Sequence, residues 1–198
     1  MSTEKLPTRI RREQIAVAAL RILGASGKRL HMTDIAARMG LAPSALYRHF
    51  KNRDALLSAV LELIRQKLFA NLETVCQTNT DALDRLRDLL FRHIQLIKEE
   101  HGIPRIVFSD ELWGENPERK QKMYRIVSGY LAEIADLVRA GQEQDRIRSD
   151  IPPSVVAGMF FGILQPAALL WHMSEGRFDL AAHIDGAWPV FLETIQVN

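Results

Sequence analysis

With 198 residues, 26 Lys/Arg against 24 Asp/Glu and 47% hydrophobic residues, the chain has the make-up of an ordinary soluble protein, able to bury one sizeable core or a small head and a larger body. Its single cysteine, Cys76, excludes an internal disulfide and favours a reducing compartment, and residues 1–12 are polar and basic without the apolar run of a signal peptide. The net charge of +2 hides an asymmetry: residues 1–56 hold eleven Lys/Arg against four Asp/Glu, +7, and the remainder −5, which points the first part of the chain at a polyanion.

Residues 1–7 read as an arm, and Pro7 or Thr8 opens a helix in which Ile15, Ala18, Ala19, Ile22 and Leu23 keep helical spacing until Gly27 ends it. Arg9, Arg11 and Arg12 lead into that helix, placed either to reach DNA phosphate or the minor groove or simply to be solvated. Between Thr33 and Phe50 the sequence TDIAARMGLAPSALYRHF reads as two short helices and a tight turn. Thr33 stands as N-cap, Ile35, Ala36 and Met39 share an inward face, and Gly40 supplies the left-handed C-cap. Pro43 suits the first position of the second helix, where Ala45, Leu46, Phe50 and the ring of Tyr47 contribute to packing and Ser44, Arg48, His49 and Lys51 face outward. A helix so short, basic and rich in hydroxyls suits the DNA major groove.

Asn52 then serves as N-cap and Asp54 sits in the first turn of a long connector helix carrying Leu56, Leu57, Val60, Ile64, Leu68 and Leu72. A polar break at 77–80 precedes a helix near 81–100, with Leu83, Leu86, Leu90, Ile94 and Ile97 inward. Gly102 and Pro104 punctuate the next stretch, so a short helix is expected from Ile106 to Trp113, ending at Gly114, and a longer one from about Pro117 to Gln144. Residues 155–173 form the most hydrophobic segment. At nineteen residues it raises the membrane question, but Gln165 and Pro166 in mid-run, His172 near the end and the basic head argue instead for a helix buried on several sides. A last helix near 178–196 closes an all-α chain with no strand pattern and no repeat.

Thr33, Ile35, Ala36, Gly40, Leu46, Tyr47, His49, Phe50 and Leu56 give the chain its resemblance to the TetR family of bacterial helix-turn-helix transcriptional regulators. It departs from that family's pattern at Leu41, Ala42, Ala45 and Arg53, and Ala42 is a poor N-cap for the second helix. The resemblance implies an N-terminal three-helix DNA-binding head with a helix-turn-helix, here residues 1–53, and a C-terminal helical body for ligand binding and dimerisation, residues 54–198. It also implies a cytoplasmic, nucleoid-associated protein without cofactor or metal, whose partners are a double-stranded DNA operator, a second copy of itself and an unidentified small apolar effector. Carried onto this chain, the family's motif places Tyr47 and His49 on phosphate, with Thr33 and Ser44 adding hydroxyl or backbone contacts. Arg48 is the candidate for reading guanine, Ala42, Pro43 and Ala45 for thymine methyls, and Lys51 and Arg53 for the DNA backbone.

In the body, Val155, Met159, Ile163 and Ala167 with Ile184, Trp188, Phe191 and Ile195 are expected at a two-fold four-helix dimer interface, as in dimers resembling this family. Phe91, Phe108, Trp113, Tyr124, Phe161, Trp171 and Met173 are candidates for an effector cavity, with His93, Arg105, Gln165 and His172 as polar groups able to orient a ligand. Two other functions are open. Nucleoid-occlusion proteins share a similar fold and a stretch like Ala45 to Phe50, and the spacing of His49 and Asp54 matches a glycerolipid acyltransferase motif, although both residues already have ordinary places at helix ends.

Overall fold

The computed structural model describes residues 7–26, 30–113 and 116–197; the expected arm over residues 1–6 and the helix-ending Gly27 and Gly114 lie outside them. The described residues form α1 (Thr8–Ser26), α2 (Met32–Arg38), α3 (Pro43–His49), α4 (Arg53–Thr78), α5 (Ala82–Glu99), α6 (Gly102–Val107), α7 (Asp110–Trp113), α8 (Pro117–Glu143), α9 (Pro153–Met173) and α10 (Leu180–Ile195). The fold is all-α, and the one β-type pairing among the described residues is an isolated antiparallel bridge between Ile147 and Gln196. Contacts divide the chain into two units, residues 1–66 with 100–122 and residues 67–99 with 123–198; α4 and α8 each contribute to both.

The first unit has its own core. Ile15 and Ala19 of α1, Ile35 of α2, Leu46 of α3 and Leu56, Val60 and Leu61 of α4 have no solvent exposure, and Leu20, Leu30, Phe50 and Leu57 have almost none. Each large side chain so buried adds about 1.5–3 kcal/mol to cohesion. Asn52 caps α4 as expected, its Oδ1 accepting the Ala55 N–H at 2.9 Å. The segment after Glu99 departs from expectation. Instead of one helix from Ile106, two short ones form, because α6 starts at Gly102 and stops at Phe108, whose N–H closes onto the Pro104 carbonyl at 2.9 Å. Pro104 is the third residue of α6, in the first turn, where its missing N–H has no intrahelical partner to lose. α6 packs against α1 backbone to backbone: a Cβ on Gly102 would lie 2.1 Å from the Leu20 carbonyl oxygen, and one on Gly24 would lie 2.8 Å from the Gly102 nitrogen.

The second unit is likewise anchored by caps and dense packing. Asp81 Oδ1 accepts the Leu83 and Asp84 N–H groups at 2.8 and 3.2 Å to start α5, while Oδ2 takes the Arg146 guanidinium at 2.7 Å. Asp179 Oδ1 accepts the Ala181 and Ala182 N–H groups, both at 3.0 Å, at the start of α10. α9 lies along α10 and α5, with Phe160 edge-on to Phe191 at 6.1 Å and the His183 imidazole Nε2 3.1 Å from the Ile163 carbonyl. By length and composition α9 is a helix that could cross a membrane, yet it is two-faced: Val156, Ala157, Phe160, Leu164, Ala167 and Trp171 are buried, and Val155, Met159, Leu169 and Leu170 are exposed.

Candidate nucleic-acid interface

The turn between α2 and α3 begins with Gly40 at φ +62°, the left-handed conformation that glycine adopts without penalty. Around it the Leu41 N–H donates to Ala36 O at 2.8 Å and the Gly40 N–H to Ala37 O at 3.1 Å, the paired bonds of a Schellman motif that satisfy the last carbonyls of α2. Three residues later Pro43 is the first residue of α3, and Ala42 ahead of it is extended and offers no side-chain cap. α3 is held from below by Leu46 and Phe50.

Thr33 lies elsewhere than expected. The N-cap of α2 is His31, extended at φ −107° and ψ 139°, so Thr33 is the second residue of the helix and its exposed hydroxyl caps nothing. The helix starts early because Met32 is buried and turns inward with Ile35 and Ala36. Of the other residues expected at DNA, Ala42, Pro43, Ser44, Tyr47, Arg48 and Lys51 are exposed, Tyr47 to 51%, while Ala45 and His49 are half-buried. Arg53 is also half-buried, and its Nε donates to the Leu30 carbonyl at 2.8 Å, tying the start of α4 to the segment before α2.

Arg12 turns out to be a support. Its guanidinium donates to the His49 carbonyl at 2.7 Å and stacks 4.5 Å above the Phe50 ring, so the cation satisfies the C-terminus of α3 and covers its anchor. Arg9 is exposed, and Arg11 is half-buried and donates to Gln14 Oε1 at 3.0 Å. Asp54, the carboxylate of the acyltransferase-like spacing, faces Arg119 at 3.3 Å. One turn further along α4, Lys122 Nζ donates to the Ser58 carbonyl at 2.7 Å and sits 3.6 Å from Glu62, whose carboxyl is held below its ordinary range by the Arg65 hydrogen bond, with Lys122 adding to it against the cost of burial.

The residues expected to line an effector cavity fall in both units. Phe108 is half-buried in the first unit, as is Arg105; the side chain of Trp113, in the same unit, lies outside the described residues. In the second unit Tyr124 and Met173 are 73% and 70% exposed, Trp171 is buried, Gln165 and His172 are half-buried, and Phe91 lies under the Arg87 guanidinium at 5.8 Å. Phe161 does converge with something: it meets Tyr130 edge-on at 6.4 Å, and Tyr130 in turn meets Phe69 at 6.2 Å and His93 at 5.7 Å. Tyr130 and Phe69 read in sequence as ordinary helix positions, and only their partners from other helices single them out.

The expected dimer residues divide by burial. Val155 and Met159 are exposed and Ile163 half-exposed, but Ala167, Ile184, Trp188, Phe191 and Ile195 are buried in the chain's own core. The outward apolar surface of α9 and α10 is made instead by Val155, Met159, Leu169, Leu170 and Val190, with Gly158, Gly162 and Gly186 open beside them.

Residues 15–60 match the family described as bacterial regulatory proteins, tetR family, and residues 62–194 match that described as YsiA-like protein, C-terminal region. A fatty acid metabolism regulator protein of Bacillus subtilis (strain 168) is 25% identical over 170 residues, 85% of this chain and 87% of that protein. A nucleoid occlusion factor SlmA of Serratia proteamaculans is 21% identical over 198 residues, 99% of this chain and 100% of that one. Among solved structures, the transcriptional regulator FadR from Bacillus subtilis in complex with stearoyl-CoA has the same fold, with a TM-score of 0.79 at 23% identity over 92% of this chain and 98% of that chain.

Proposed function

The chain belongs to the TetR family of DNA-binding transcriptional regulators, and from that premise we propose that it acts as a homodimeric repressor on a palindromic operator and is released by a fatty acyl-CoA. The observation that carries the DNA half is α3 itself, a helix anchored by Leu46 and Phe50 that turns Ser44, Tyr47 and Arg48 to solvent at the end of the chain where positive charge is concentrated. Tyr47, His49, Thr33, Ser44, Lys51 and Arg53 serve the phosphate backbone and set register, Arg48 reads guanine through its fork, and Ala42, Pro43 and Ala45 touch thymine methyls. Two copies are needed because one short helix reads only a few base pairs; a two-fold pair spaced about 34–36 Å apart reads a palindrome. The outward faces of α9 and α10 supply the apolar surface for that pairing.

Residues 1–53 carry the reading function and residues 54–198 the effector and dimer functions. The acyl-CoA class is supported by the fatty acid regulator among the relatives and by the neighbour that holds stearoyl-CoA. The ligand acts through its differential affinity for the DNA-competent and released states, and moving a population from 99:1 to 1:99 takes about 5.5 kcal/mol. Genome-wide mapping of binding sites, followed by titration of one site across salt with and without stearoyl-CoA, tests the reading. A few palindromic sites, a steep salt slope, relaxed specificity in Arg48→Ala and release by the ligand are expected. Retention of full DNA affinity with the ligand bound would defeat the induction scheme. Many dispersed sites would favour a nucleoid-occlusion role, the second reading, which the full-length relationship to SlmA supports.

A further inference from the structure

The second unit buries a polar pair in aromatic surroundings. His93 on α5 is 8% exposed, and its Nδ1 lies 3.1 Å from the hydroxyl of Tyr130 on α8, which is 1% exposed. Phe69 of α4 and Phe161 of α9 close on the tyrosine ring from two further helices. Nε2 of His93 makes no hydrogen bond among the described residues, and the tyrosine hydroxyl makes none beyond the one to His93.

Proton bookkeeping then gives a definite result. If Nδ1 accepts from the hydroxyl, the ring proton is on Nε2 and that N–H is unused; if Nδ1–H donates to the hydroxyl oxygen, the tyrosine O–H is unused. Either tautomer leaves one donor without a protein acceptor beside the aromatic rings. Burial also pushes the imidazole down to about 4 and raises the phenol well above its ordinary value, so both partners are neutral near pH 7. A neutral donor among aromatic rings matches an uncharged acceptor. It matches a carboxylate less well, since a buried anion needs a charged partner and the imidazole is held neutral.

We infer that His93 and Tyr130 are the polar anchor of the effector site and that their spare donor takes the thioester carbonyl of a long-chain acyl-CoA. The assignment rests on the acyl-effector reading above and adds to it a contact and a selectivity, thioester over free fatty acid. The alkyl chain next to that carbonyl runs against Phe69 and Phe161.

The test compares stearoyl-CoA with S-octadecyl-CoA, a thioether of equal chain length in which a methylene replaces the carbonyl, and with stearate, by direct binding to the full-length protein. The wild type should bind the thioester roughly three- to tenfold tighter than the thioether, the range of one net hydrogen bond, and stearate more weakly than either. The double variant His93→Phe/Tyr130→Phe, folded by circular dichroism, should bind both CoA compounds alike, while each single variant, still holding one donor, keeps part of the preference. Equal binding of thioester and thioether by the wild type would overturn the assignment and leave the acyl-effector reading standing; this arm needs no variant. A preference that survives in the double variant would also overturn it. No binding of either CoA compound would overturn the acyl-effector reading and the assignment with it.

Discussion

The outward face of α3 and the interior around Tyr130 use polar groups under opposite conditions. At α3, Ser44, Tyr47 and Arg48 stand in water, where a permanent charge stays hydrated until a phosphate or a base replaces the water. Around Tyr130 the polar groups are enclosed by rings, and His93 persists there only by giving up its charge. The difference teaches that a polar group keeps its water where the surface is open and gives up its charge where rings enclose it, and one chain holds both settings in different units. Substitutions should therefore act differently in the two places.

The largest effect is expected beneath α3. Leu46→Ala removes a side chain with no solvent exposure and should cost about 2–5 kcal/mol, read as a lower thermal midpoint and weaker binding to every DNA sequence. A uniform loss is the mark of an anchor, and a loss confined to particular base pairs would make Leu46 part of readout. Next is acid. His93 has a folded pKa of about 4 against an ordinary 6.5, so the unfolded chain binds more protons in that window and stability falls as pH drops from about 6.5 to 4. The loss is on the order of 3 kcal/mol and complete below the lower value. Chemical denaturation at pH 7 and 4.5 should show a pH-dependent loss in the wild type that is smaller in His93→Phe; an identical loss in both would place the acid-sensitive group elsewhere. Smallest is Arg12→Met, which keeps an apolar cover over Phe50 but drops the hydrogen bond to the His49 carbonyl. A loss of about 0.5–1.5 kcal/mol in stability is expected, with an unchanged order of preference among operator variants. A changed order would give Arg12 a base contact of its own.

Features set by neighbours in sequence were legible there. Gly40 at positive φ, Pro43 at the first position of α3 and the Asn52 cap each follow from what one residue does to its own backbone. Thr33 was misplaced because a buried Met32 draws the chain into α2 two residues early, and the segment 102–113 because Pro104 reads as a breaker although the first turn of a helix accepts proline. Arg12 and Tyr130 were illegible in role, since what distinguishes them is a partner 37 residues away in each case. The dimer residues divide between buried and exposed for another reason. Periodicity sorts α9 into faces but cannot say which apolar face the chain covers itself and which it leaves for a second copy, and α9 is apolar nearly all round.

The interlock of Gly24 with Gly102 bears on how the DNA reader can be handled in isolation. A fragment ending at Gln66 would retain every residue assigned to the operator, yet it would strip α6 from the α1 backbone at Leu20 and expose a strip of main chain and leucine shaped for one glycine-lined neighbour. Such a fragment should be prone to self-association, whereas one that carries residues 100–122 behind a short tether would restore the cover. The minimal reader is thus discontinuous in sequence, and any replacement at Gly24 or Gly102 larger than hydrogen would pry it open from within.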